Sequence, residues 1–507
     1  MAGPYGGVLK GIASNPAAPS SVLLRLLAPE AEIFWYWLTE RRELPPPVAD
    51  AIVRHPDARL RADFARAGHA APARLARLVD DPSTEVRLAL AKGRRRFREE
   101  AVPLPDSTYE RLLADPEPAV RTALIGSPLP APLRARFASD ADPAARITAC
   151  QVWERLTEPV RAALLRDPDP DIRQEAALNE CVRDAALTAR LLTGLTDPAG
   201  STGSTDPDDP DDLDDLDNPD DDETNDDGDR DRAARRGLLD RGTAELIALH
   251  RDATVRRWAA ENPSLPADLV ARLATDPDPG VRLYVSARPE LTETERAAID
   301  YTVDASARLP VLEWVQRAHE NADVDILRRC AASAHPWLRR SAARSSLLPL
   351  DTVERLARDE DFAVRLLLCE FHPEPPPELL LRVYAEWHGL TRADLLDHPR
   401  FPRKGLAARF AEDPDPALRY LALRDPDAPS ALVDRLTRDP DREVARAAAG
   451  HPRLPPERMR DLLADVLLVA YAAANPALPV DHMHRLLDEA GIPAAAAAPA
   501  VGPRATT

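Results

Sequence analysis

Arginine and aspartate are the side chains of this sequence whose spacing could do chemistry. Thirteen arginines recur at nearly one interval: Arg61, Arg87, Arg121, Arg146 and Arg173, then Arg256, Arg282, Arg308, Arg339, Arg365, Arg392, Arg419 and Arg446. In the second group the step is 26 or 27 residues in all but one case. Six residues before nine of the thirteen stands a residue suited to a helix start, as at Asp81, Asp115, Asp140, Asp167, Asp276, Asp359 and Asp413. A guanidinium fork matches a carboxylate or a turn carbonyl. One reading is therefore a structural ladder that pairs Asp81 with Arg87, Asp115 with Arg121, Asp167 with Arg173, Asp276 with Arg282, Asp359 with Arg365 and Asp413 with Arg419. The other is a row of cations that grips phosphate or an acidic peptide. The ladder is favoured, because the Asp at fixed spacing gives each arginine a partner.

Residues that break the period are then the candidates for partner contact. They are Arg257, Arg340 and the run Arg94, Arg95, Arg96 and Arg98, joined by the aromatics Trp258, Tyr284, Trp314, Trp337 and Tyr420. Aromatics and arginine are what interface hot spots favour. Nucleic acid would need a clustered positive face. The chain has a formal charge of −19 and a pI of about 5.1, and only 92–98 forms a basic patch, which argues against nucleic acid. A nucleic-acid-binding helical repeat protein stays as the alternative to a protein-binding one.

Other chemistries find little support. The metalloprotease H-E-x-x-H, the nucleophile elbow G-x-S-x-G and both phosphate-binding glycine loops are missing. His55, His250, His372, His398 and His451 fall at one phase of the period, as turn residues replacing Asn or Asp. His482 and His484 are two apart on a helix and so on different faces, poor geometry for one metal. The cysteines, Cys150, Cys181, Cys330 and Cys369, read as small buried residues of second helices in a reducing compartment. The expectation is a chain that is not an enzyme and carries no cofactor and no metal.

The elements that position these residues can be read from proline. The segment D-P-D-x-x-V-R, clearest at 167–173, 276–282 and 413–419, starts a helix at Asp-Pro. Upstream lies N-P-x-L-P-x-x-L-x-x-R-L, as at 262–273, whose first Pro stops one helix and whose second starts the next. The double proline recurs at 16/19, 263/266, 373/376, 399/402, 426/429, 452/455 and 476/479. Its common phase identifies it as structural and not as a polyproline ligand. Each unit is thus two short helices, which need stacked neighbours to hold them. The 52 prolines would otherwise indicate disorder, and the few β-branched runs argue against sheet.

The D-P-D-x-x-V-R segment resembles the second-helix signature of HEAT repeats. The complete unit, with N-P-x-L-P-x-x-L-x-x-R-L-A, is more similar to the leucine-rich repeat variant family. The resemblance covers about 12–195 and 240–490 and is strongest at 262–288 and 398–476. It implies an all-α fold, a right-handed α-solenoid of about 26-residue two-helix repeats in which the second helix is shorter, with 3₁₀ character as one form open to it. The family's founding type carries an N-terminal cysteine cluster for an iron–sulfur centre. Here no two cysteines lie closer than 31 residues, so that site is not carried over.

Residues 206–229 hold fifteen Asp or Glu and no Lys or Arg. Setting those fifteen charges aside turns −19 into −4, so the rest of the chain is only mildly acidic. The run is expected to be disordered and to be an insertion inside one repeat, with Leu191, Leu192 and Leu195 before it and Ala233, Ala234, Leu238 and Leu239 after. A break into two halves at this point stays open. As an EF-hand the run fails, since Ala234 stands where the twelfth ligand belongs. The expected organisation is repeats over 12–195, the acidic insertion over 196–231, repeats over 232–490 and a disordered Ala/Pro tail over 491–507, with 1–11 frayed. The longest apolar stretches, 33–38 and 466–474, fall far short of the ~20 residues that span a bilayer. Three Lys against 63 Arg suggest a GC-rich bacterial genome. The combined expectation is a monomeric cytoplasmic scaffold that binds a protein or peptide in a superhelical groove.

Overall fold

The computed structural model describes residues 5–41, 43–67, 71–93, 103–127, 129–193, 226–305 and 309–494. Among them all regular structure is helical. The chain forms two compact units, one from residues 1–155 with 403–507 and the other from 156–402.

Short helices alternate in two kinds, and proline and aspartate set both starts. The first kind begins after the second Pro of the double-proline segment, which is the N-cap residue at Pro19, Pro266, Pro429, Pro455 and Pro479. The fixed φ of proline holds that cap extended. The second kind begins one Asp later than the sequence suggests. In 167–173 and 413–419 the N-cap is Asp169 and Asp415, whose carboxylates accept the Asp171 and Ala417 amides, with Pro170 and Pro416 in the first helical position. Asp278 caps the helix Pro279–Ser286 in the same way.

The earlier Asp does meet the arginine six residues on, through its backbone, and its carboxylate has a different task. Asp276 and Arg282 are joined through the aspartate's backbone carbonyl, which accepts from Arg282 at 2.7 Å. The same contact joins Arg87 to Asp81, Arg121 to Asp115, Arg173 to Asp167, Arg365 to Asp359 and Arg419 to Asp413. The carboxylate faces the other way, towards the arginine 20 or 28 residues earlier. Arg61 donates two bonds to Asp81, Arg87 to Asp115, Arg256 to Asp276, Arg339 to Asp359 and Arg419 to Asp439, each with one bond at 2.7 to 2.9 Å. Arg61, Arg87, Arg256, Arg339 and Arg419 thus each tie their own turn to the next one. Arg282 and Arg365 reach Asp300 and Glu386 instead, and Arg392 and Arg446 leave the scheme. Arg392 donates to the Tyr384 carbonyl from the 3₁₀ segment Leu390–Asp397, and Arg446 stands one residue past Ala445, which holds the register. Arg308 lies outside the described residues.

A second set of ties runs through the residue that ends each second helix. Asn262 donates from its amide to the carbonyls of Ala234 and Gly237, and Asn475 to those of Ala449 and His451. Arg288 reaches the Ala260 and Asn262 carbonyls with one guanidinium nitrogen. Histidine does the same work at His372, where Nε2 donates to the Leu348 carbonyl and Nδ1 accepts the Glu374 amide. His398 repeats the pair of bonds on the His372 carbonyl and the Arg400 amide. Burial lowers the pKa of both rings, so they stay neutral. The reading of phased histidines as turn residues agrees with this geometry.

In the first unit this zipper joins the two ends of the chain. Asn15 donates to the carbonyls of Ala473 and Asn475 at 3.0 and 2.7 Å, and Arg41 to those of Ala13 and Asn15 at 2.9 and 2.7 Å. The turns at 451, 475, 15 and 41 therefore follow one another as though covalently consecutive. The helix Gly6–Ser14 packs on Val469–Ala473, with Val8, Leu9 and Ile12 in the core shared by both ends. Residues 6–11 are helical and partly buried where fraying was expected. A methyl at Gly11 would lie 2.3 Å from the Ala470 carbonyl oxygen and 2.5 Å from the Ala473 side chain. Gly11→Ala should cost about 1–3 kcal/mol by overpacking, seen as a lower melting temperature, whereas an unchanged melt would show that the two helices do not meet so closely.

In the second unit the core passes the acidic segment. Leu178, Leu192, Ala233, Ala234 and Ile247 belong to one buried cluster. The helix Asp226–Arg236 begins inside the stretch read as insertion. Residues 194–225, with most of the acidic run, lie outside the described residues, as do 495–507.

Candidate interaction groove

One wall of the first unit is formed by second helices side by side. Pro416–Ala422 packs on Arg442–Ala449, and that helix on Val469–Ala473. Each buries its small residues, such as Ala448, Ala449, Ala472 and Ala473, and leaves larger ones on the opposite face. Between the exposed faces lies an open cavity of about 480 Å³. Tyr420, Glu443, Arg446 and Tyr471 line it from the three helices, Arg403 and Arg424 from the adjoining segments, and Ala447 and Gly450 form a floor of small residues. Arg446 is ion-paired with Glu443, and its guanidinium sits 5.4 Å from the centre of the Tyr471 ring. His451 closes one side, its pKa lowered by burial, so the wall there is neutral. A space of this size holds two or three side chains of a partner. Its tyrosines and arginines can stack, form hydrogen bonds and pair with carboxylates.

Of the residues singled out in the sequence, Tyr420 reaches this groove. Arg94, Arg95, Arg96 and Arg98 lie outside the described residues. The others belong to the second unit. Trp337 is a core residue, 1% exposed, with its indole N–H on the Pro310 carbonyl at 2.7 Å. Tyr284 meets it edge to face, with ring centres 4.9 Å apart. Arg340 is also buried, bonded to Asp361 at 2.7 Å and to the carbonyls of Asp304 and Ala305. Trp337 and Arg340 are thus unavailable to a partner, because the chain itself has used their hydrogen-bonding groups. Trp314 is half-buried with its N–H on the Ala287 carbonyl, and Trp258 packs against the core beside Arg257, which approaches Asp278 at 4.0 Å.

Sequence reasoning missed Arg403, Arg424, Glu443 and Tyr471, and placed Arg446 in the ladder. A signal existed for two of them. In D-P-D-R-E-V-A-R the aliphatic Val444 puts Ala445, not Arg446, in the ladder position. Tyr471 stands four residues before Asn475, as Trp258 does before Asn262.

All four cysteines are buried free thiols. Burial pushes Cys181 up to about 11 and Cys330 and Cys369 up to about 12, so little thiolate is present at neutral pH. Native protein should react with a thiol reagent far more slowly than protein in denaturant. Rapid labelling of the native chain would contradict the burial. Cys330 lies in the helix Val324–Ala332, while Cys150, Cys181 and Cys369 stand at second-helix ends. Among the described residues no group of three His, Cys, Asp or Glu could hold a metal ion, and no helix is long and apolar enough to cross a membrane.

Residues 253–278 match the leucine rich repeat variant family. They contain the second helix Ala253–Glu261, the double-proline turn, the first helix Ala267–Leu273 and the ladder acceptor Asp276. Such repeats are helical elements of the kind used in protein interaction. No curated protein matches the chain.

Proposed function

We propose that this chain, similar over 253–278 to the leucine rich repeat variant family, is a non-catalytic scaffold that binds a protein or peptide partner in its groove. The groove lined by Tyr420, Arg446 and Tyr471 carries this reading, since aromatics and arginine over a small-residue floor are how binding hot spots are built. The recurrent Arg–Asp and Asn–carbonyl ties support a right-handed solenoid of about 26-residue two-helix repeats. Four free thiols suit a reducing cytoplasm, with the chain acting as a monomer and without a cofactor.

The test is co-purification from the native host with the wild-type chain and with Tyr420→Ala/Tyr471→Ala. Both rings are half-buried and pack against the core, so the double variant should melt below the wild type yet stay folded at the assay temperature, while its partner is retained at least tenfold less, the loss typical of hot-spot truncation. No stoichiometric partner, or one bound equally by the variant, would sink the reading. Nucleic acid is a second reading, favoured by arginines and stacking rings in one groove. Flat anisotropy titrations with DNA and RNA at about 50 mM salt would remove it.

A further inference from the structure

The groove does not stop at Tyr471, because the zipper sets the N-terminal helices beside it. Positions on successive second helices can be matched by their distance from the turn residue that ends each one. Tyr420 lies five residues before Asp425, Arg446 five before His451 and Lys10 five before Asn15. Tyr471 lies four before Asn475, and Trp37 four before Arg41. Since Asn475, Asn15 and Arg41 make the same pair of carbonyl bonds to the turn before them, equal offsets fall on one face, and offsets of four and five share a groove, as Tyr471 does with Tyr420 and Arg446. The row then reads Tyr420, Arg446, Tyr471, Lys10, Trp37, with Arg403 at its start.

Cations and rings alternate along this row, and two neighbouring pairs touch. Arg446 sits over Tyr471, and the Lys10 ammonium is 5.0 Å from the Trp37 ring centre. Arg403 and Lys10 are exposed, and among the described residues Arg403 has no ion pair or hydrogen bond. Among the described residues Glu443 is the one carboxylate of the cavity wall, and Arg446 neutralises it. A chain of net charge −19 thus presents one cationic strip, complementary to a partner of its own overall sign. Packed helices lie about 9 Å apart, so the five helices span roughly 36 Å, the length of about eleven extended residues.

Resting on the groove reading above, we propose that the two chain ends together build one strip for an extended acidic polypeptide segment in which carboxylates alternate with aromatic or proline side chains. The probe is a fluorescein-labelled twelve-residue peptide, (Glu-Tyr-Glu-Pro)₃, titrated with the full chain by anisotropy. Saturable binding should weaken roughly fivefold with Arg403→Glu at one end of the strip and again with Lys10→Glu at the other, as exposed charge contacts do, with melting temperatures unchanged. Trp37→Phe, which keeps the ring's packing, should weaken it less than Lys10→Glu. A probe released by both reversals supports the strip even where no host partner is captured. A probe indifferent to Lys10→Glu overturns it, and does so without touching the groove reading if the host partner is still lost with Tyr420→Ala/Tyr471→Ala. Tighter binding of (Lys-Tyr-Lys-Pro)₃ or of dodecathymidylate also overturns it, the latter in favour of nucleic acid.

Discussion

Asp81→Ala should destabilise the first unit by about 3–5 kcal/mol, the cost of leaving one member of a buried ion pair alone. The Arg61 side chain is 9% exposed and that of Asp81 5%. Asp81 receives bonds of 2.7 and 2.8 Å from Arg61 and 2.9 Å from the Ser83 amide. Burial pushes the Asp81 carboxyl up, but those donors outweigh it and hold it below the usual carboxylate range. Without it the guanidinium keeps its bond to the His55 carbonyl at 2.5 Å, yet its buried charge loses the carboxylate bonded to it and retains only the more distant Asp57. Replacing the pair with Arg61→Met/Asp81→Leu should recover much of the loss, because neither buried charge then remains. Urea denaturation of the two variants decides the point. A single-variant loss under about 1 kcal/mol would mean that the pair behaves as a surface ion pair.

Acid should weaken the second unit through one buried histidine. His335 caps Pro336–Ala343, with Nδ1 accepting the Trp337 amide and Nε2 facing the Ser286 hydroxyl at 2.8 Å. It is fully buried and stacked on Tyr301 at 4.4 Å. Burial first, then the charges of Arg296 and Arg339, push it down to about 3. The folded ring is neutral down to that pH, whereas the unfolded ring takes a proton below about 6.5. Stability is therefore fully present above pH ~6.5 and falls as the pH drops towards 3, by about 2 kcal/mol at pH 5 from this ring alone. Glu261 acts in the opposite sense. Burial pushes it up to about 6 despite Arg235 at 2.5 Å, so it regains stability as the pH falls through that value. His335→Asn keeps a capping acceptor without the titration. The difference between the wild-type and variant melting curves from pH 7 to 5 isolates the ring, and parallel pH slopes would refute the assignment.

The helical class and the location of the turns were legible because proline and aspartate act locally, within a few residues. The direction of the ladder was not. Asp276 lies six residues from Arg282 and 20 from Arg256, and spacing alone cannot say that the carboxylate turns to the farther arginine while the nearer one takes the carbonyl. His335 was legible in principle, since S-A-H-P stands where D-P-D-P stands elsewhere. Trp337 and Trp314 look alike in sequence, and the depth of each follows from neighbours on other helices. The groove suffered most, because Lys10 and Trp37 join Tyr471 only through a contact 458 residues long.

That contact sets a timetable for the ribosome. The apolar side of Gly6–Ser14 emerges before its cover, Val469–Ala473, by the 458 residues that separate Asn15 from Ala473. At roughly 5–20 residues per second the interval is on the order of 20–90 s. Through all of it Val8, Leu9 and Ile12 must wait without their partner. Loop closure over such a distance belongs to the slow end of folding, so the nascent chain, more than the finished protein, is where aggregation and chaperone capture should concentrate.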